Sequence, residues 1–137
     1  KNLGFLPVIS TAPKDHHSLL QLYLDGPKDK LFHIFSHEKN ELNKISVKFF
    51  DKKFNFLSNK SLNKIKTAQK DAFIEKLKKK NIPYREFKIR DLNEKILGEL
   101  FSYFILETAI VGELCNINPF DQPAVEQVKI NTKKNLS

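Results

Sequence analysis

The sequence predicts an α/β layered domain, with a mainly parallel sheet, helices on both of its faces and a further helix at the C-terminal end. Two short runs, residues 31–37 and 84–89, read as strands, and a stretch with helical spacing of apolar residues follows each, so that strand and helix alternate. That rhythm calls for crossover connections, which join strands in parallel. The size agrees: 137 residues make about one domain, and a hydrophobic content of 40% with 12 Phe is enough to fill a core.

Each element has its own signal. Leu3 to Ile9 is apolar with Pro7 inside it, and Ser10-Thr11-Ala12-Pro13-Lys14 is a polar turn. Asp15 is expected to cap a first helix with Leu19, Leu20, Tyr23 and Leu24 on its apolar stripe, ended by Asp25-Gly26-Pro27. Residues 31–37 are almost continuously apolar, which predicts a buried strand. Ile45-Ser46-Val47-Lys48-Phe49 alternates and is expected to be extended near a sheet edge. Ser58 or Asn59 is expected to cap a helix running from Ser61 to about Asn81, with Leu62, Ile65, Ala68, Ala72, Phe73 and Leu77 on one side. The lysine run at its end, Lys76 to Lys80, suits the negative pole of the helix dipole.

Asn81-Ile82-Pro83 breaks that helix, and Tyr84 to Ile89 alternates as a strand should. Asp91 or Asn93 is expected to cap a second long helix, 94–115, so apolar on most of its surface that it is expected to be central. Glu99, Glu107 and Glu113 interrupt the apolar run, which excludes a membrane span. Pro119 stops the chain again, and Asp121 or Gln122 followed by Pro123 starts a last helix. On it Gln122, Glu126 and Lys129 stand at i, i+4 and i+7, one line of amide, carboxylate and ammonium spanning about 10 Å of helix rise. By pattern alone such a face is a solvated one; its length also suits a small polar ligand such as a phosphorylated sugar.

Composition removes several classes of function. The formal charge of +8 invites a nucleic-acid partner, but the excess is lysine spread through the chain, and Arg85 and Arg90 are the only arginines to supply a bidentate fork. A lone cysteine, Cys115, makes neither an internal disulfide nor a zinc knuckle, and it favours a reducing, cytoplasmic compartment. His33 and His37 share a face of a predicted strand about 13 Å apart, too far to hold one ion. His16 and His17 are adjacent and point differently, so no metal site is expected. The first turn of a helix favours an uncharged imidazole, and from there His17 can act as acid or base toward a sugar oxygen; a capping or packing role is the plainer alternative.

Two long motifs resemble a known family. Asp15-His16-His17-Ser18-Leu19-Leu20-Gln21-Leu22-Tyr23-Leu24-Asp25-Gly26-Pro27-Lys28-Asp29-Lys30 and Asn118-Pro119-Phe120-Asp121-Gln122-Pro123-Ala124-Val125-Glu126-Gln127-Val128-Lys129 resemble segments of the bacterial glucose-6-phosphate isomerases, with Gly98-Glu99-Leu100-Phe101 also similar. The resemblance implies a sugar isomerase (SIS) fold, a three-layer sandwich, with residues 1–118 as most of the second SIS domain and 119–137 as a C-terminal active-site helix and tail. It implies an aldose-ketose isomerase of glycolysis and gluconeogenesis that needs no metal or cofactor. His17 matches the family's ring-opening histidine, Lys129 its active-site lysine and Gln122 a substrate-contacting glutamine. A homodimer is implied, with His17 reaching the neighbouring subunit's site, and neither nucleic acid nor membrane as partner.

The same resemblance implies that the family's glutamate base and its Ser/Thr-rich phosphate loop lie outside these 137 residues, the base just before Lys1, so the chain alone is expected to be inactive. Ala124 stands in place of a usual glycine, Gln127-Val128 in place of a glycine-containing step, Lys14 in place of a threonine and His16 in place of a glutamine. A non-catalytic module of SIS type that binds or senses a sugar phosphate is the alternative.

Overall fold

The computed structural model describes residues 4, 6–37, 44 and 52–137. Within them the four helices and two strands expected from the sequence are present: α1 (His16–Asp25), β1 (Phe32–His37), α2 (Leu62–Lys79), β2 (Tyr84–Ile89), α3 (Glu94–Leu114) and α4 (Pro123–Leu136), with a short 3-10 helix at Lys52–Leu57. The extended piece expected at 45–49 lies outside the described residues. The chain divides into two units, Leu6–Leu92 and Asn93–Ser137.

In the first unit β1 and β2 pair in parallel, in register from Phe32 opposite Tyr84 to His37 opposite Ile89. This is the connection that the strand-helix-strand rhythm requires, with α2 as the crossover. Phe32 meets Tyr23 of α1 at 5.4 Å between ring centroids and Phe73 of α2 at 5.6 Å, so both helices cover the same face of the pair. On the other face Phe35 and Phe87 stack at 4.9 Å. β1 is therefore half-covered: Phe32, Ile34 and Ser36 are partly shielded, whereas His33, Phe35 and His37 are exposed. The fully buried strand expected from its apolar run is corrected to an alternating one, because a run of apolar residues says nothing of what lies over the second face.

The core sits where α2 turns into β2. Leu77 is fully buried, and Ile74 and Ile82 nearly so. The turn explains why. Asn81 adopts a left-handed φ of 53°, the Ile82 N–H donates to the Leu77 carbonyl at 3.0 Å and the Asn81 N–H to the Lys78 carbonyl at 3.1 Å. This is a Schellman ending, whose accompanying apolar contact is made by the buried pair Leu77 and Ile82. At the other end of α2 the cap is Ser61, whose Oγ accepts from the Lys64 N–H, and not Ser58 or Asn59. A part-buried ion pair from Lys70 to Glu86, 2.6 Å long, ties α2 to β2 on the covered face.

In the second unit the Asn93 side chain caps α3 by accepting from the Ile96 N–H at 3.0 Å. α3 is as long as expected, but it contains no buried residue: Phe101, Ile105, Leu106, Ile110 and Leu114 are all exposed. Its apolar surface exceeds what a unit of this length can cover. Cys115 is half-buried at the helix C-cap. Among the described residues no helix is long and apolar enough to cross a membrane.

Candidate active site

α4 begins where it does because of the turn before it. α3 ends in a second Schellman motif, with Asn116 at φ 54° and the Ile117 N–H donating to the Gly112 carbonyl at 2.9 Å. Pro119 then folds back against Gly112, so closely that a Cβ placed on Gly112 would lie 2.8 Å from the Pro119 Cβ. Glycine is required there by the approach of the chain, not by its own torsions. The Asn118 side chain accepts from the Phe120 N–H at 3.0 Å, which closes the turn locally. Gln122 is the N-cap and Pro123 occupies the first turn, as the sequence implies.

This turn sets Gln122 at the N-cap of α4, ahead of Glu126 in the first turn and Lys129 in the next. The Gln122 carbonyl accepts from the N–H groups of Val125 and Glu126, at 3.0 and 3.1 Å, while its side-chain amide is not spent on capping. Lys129 Nζ donates to Glu126 Oε1 at 2.6 Å, and both side chains are well exposed. Of the line of amide, carboxylate and ammonium read from the sequence, the carboxylate and the ammonium therefore meet on the exposed surface of α4. The carboxylate grips the ammonium, a contact that the spacing allowed but did not require.

His17 belongs to the other unit. It stands in the first turn of α1 and is exposed, whereas His16 is turned inward with its ring 5.5 Å from that of Phe73. Asp15 precedes the helix but does not cap it with its side chain; its Oδ2 accepts from the Thr11 N–H at 2.6 Å, which secures the polar turn instead. The other end of α1 is held by Asp25, which accepts from Gln21 at 2.8 Å and pairs with Lys80 beyond the end of α2. The hydrogen bond and charge of Lys80 hold the Asp25 carboxyl below its ordinary value. A hollow between Tyr23, Pro27, Lys30 and Ile82 has a volume of about 50 Å³, room for a few waters and far too small for a hexose phosphate.

No family model matches the chain. Individual relatives do. It is 38% identical over 127 residues to a probable glucose-6-phosphate isomerase of Methanococcus maripaludis, covering 92% of this chain and 28% of the relative. It is 37% identical over 136 residues to the glucose-6-phosphate isomerase of Mycoplasmopsis pulmonis, covering 97% of the chain and 32% of the relative. Along more than nine-tenths of its length the chain is thus similar to one part of the glucose-6-phosphate isomerases. A crystal structure of a Thermus thermophilus protein described as hypothetical superimposes with a TM-score of 0.75 at 30% identity, over 92% of this chain and 31% of that one. The chain thus spans about a third of the length of the glucose-6-phosphate isomerases that it matches.

Of the candidates His17, Gln122 and Lys129 marked by the sequence, the structure places Gln122 at the N-cap of α4 and Lys129 within that helix. Sequence reasoning missed two positions that place them. Gly112 was silent, although a glycine within the last turns of an apolar helix is a sign of close approach. Asn118 was read only as part of a motif, although an asparagine before proline marks a turn.

Proposed function

We propose that this chain is the part of a glucose-6-phosphate isomerase that carries its ring-opening histidine, His17, together with Gln122 and Lys129. The enzyme interconverts glucose 6-phosphate and fructose 6-phosphate, a sugar-phosphate isomerisation that takes no cofactor. The observation that carries this reading is the match along more than nine-tenths of the chain to relatives bearing that name.

The exposed groups suit the chemistry. Opening the sugar ring requires a proton delivered to the ring oxygen and one removed from the anomeric hydroxyl, and an exposed imidazole can do both in turn. The Lys129 ammonium stabilises negative charge as it develops on a sugar oxygen. The Gln122 amide, with both a donor and an acceptor, suits a sugar hydroxyl. Transfer of the proton between C1 and C2, and the grip on the phosphate, fall to the part of the isomerase that this chain does not span. Residues 119–137 then form the active-site helix behind an SIS-type domain, His17 acts across a homodimer interface, and the enzyme is cytoplasmic.

The test is an isomerase assay on the full-length polypeptide and on the 137-residue chain alone. The full-length enzyme is expected to turn over fructose 6-phosphate, and the chain alone to be inert. A full-length polypeptide that binds the sugar phosphate without converting it would reject the enzyme in favour of a binding module.

A further inference from the structure

We infer that Glu126 is a positioning residue for Lys129, holding its ammonium over the first turn of α4 before the substrate arrives. The inference rests on the functional reading above, in which Lys129 serves the reaction.

Three observations converge on it. Glu126 is the only carboxylate in α4, which also carries Lys129, Lys133 and Lys134, and it is Lys129 that it binds, at 2.6 Å. Second, Glu126 is a firm anchor. It lies in the first turn of α4, where its N–H is bonded to the Gln122 carbonyl and the helix dipole favours its negative charge. Third, the bond draws the ammonium toward the N-terminal end of the helix, the direction in which helical side chains already lean. A lysine stem has four carbons and many rotamers, and an exposed one spends little time in any of them. Tied to Glu126, the ammonium is held toward the N-terminal end of α4, the end at which Gln122 is the N-cap.

An acid so close to a catalytic cation also limits it, because full neutralisation would blunt its effect on a developing oxyanion. The contact involves one of the ammonium's three donors, which leaves two for a sugar oxygen. Glu126 therefore orients Lys129 without consuming it.

The experiment is a double-mutant cycle in the full-length isomerase, with Glu126→Ala, Glu126→Gln, Lys129→Ala and the pair Glu126→Ala/Lys129→Ala, each followed by kcat, KM and melting temperature. Glu126→Ala is expected to lower kcat about tenfold, as misplacement of a catalytic group does, with KM changed less than about twofold and Tm by about 2 °C or less. Glu126→Gln, which keeps the shape and one acceptor, should recover part of the rate. In the Lys129→Ala background, removal of Glu126 should cost nothing further. If Lys129→Ala retains wild-type turnover, the functional reading fails and this inference with it. If Lys129→Ala is slow but Glu126→Ala is as fast as wild type, or its loss multiplies with that of Lys129, the positioning role alone is overturned.

Discussion

Adjacent residues on a helix point about 100° apart, and at the start of α1 that angle separates His16, packed against the Phe73 ring, from His17, exposed to solvent. The two should respond oppositely to alanine in the full-length enzyme. His16→Ala is expected to cost about 1 kcal/mol of stability through lost ring packing while isomerase turnover is retained. His17→Ala should leave the melting temperature unchanged and lower kcat by about 100-fold, the scale of lost acid-base help. Lys129→Ala should do the same. Calorimetry beside a coupled fructose 6-phosphate assay separates these outcomes. The motif alone marked His17, but it could not tell which of two neighbouring histidines faces inward, because that depends on where Phe73 of α2 comes to lie. The grip of Glu126 on Lys129 was likewise compatible with their spacing without following from it.

Among the elements, the two Schellman endings decide where the following segments start. Asn81 directs the chain into β2, and Asn116 sends it back so that Pro119 rests on Gly112. Gly112→Ala is expected to force Pro119 away and displace the turn before α4, costing about 1–3 kcal/mol as overpacking does and raising KM; a KM equal to that of wild type would reject the role of this contact. Leu77→Ala, in the fully buried position beneath the Asn81 turn, should cost about 2–5 kcal/mol by denaturant titration. The ends of α1 and α2 are joined by Asp25 and Lys80, and the lowered affinity of Asp25 for protons sets a direction. The folded state favours the charged carboxylate, so the stabilisation is fully present above the ordinary value of 3.8 and is lost as the pH falls through the depressed one. Lys80→Met should therefore lower stability at neutral pH and leave it unchanged at the acid end, so that the profile falls less steeply as the pH drops. Lys70 works in the opposite range. Its bond to Glu86 raises its affinity for protons, so that contribution is present below about 10.5 and is lost only at higher pH.

At the scale of the whole molecule, three buried hydrophobic residues among those described, Ile74, Leu77 and Ile82, are a small core for 137 residues. α3 leaves Phe101, Ile105, Leu106, Ile110 and Leu114 exposed, and a surface of this kind on an isolated chain promotes association. The purified 137-residue chain is expected to bind a hydrophobic dye strongly and to unfold over a broad range. The full-length polypeptide should show little dye binding and a sharp transition, and a sharp transition in the chain alone would contradict this picture. The sequence by itself determined the order and type of the elements, since helical spacing, caps and proline breaks are local and act within a few residues. It also marked His17, Gln122 and Lys129 as candidates, through motifs long enough to resemble those of a family. Only the tertiary structure decided which face of β1 is covered, which histidine is free, that Gly112 must yield to Pro119 and that α3 has no buried residue. Those outcomes depend on which distant segments meet, and nothing in the local pattern of a helix or strand specifies what will lie against it.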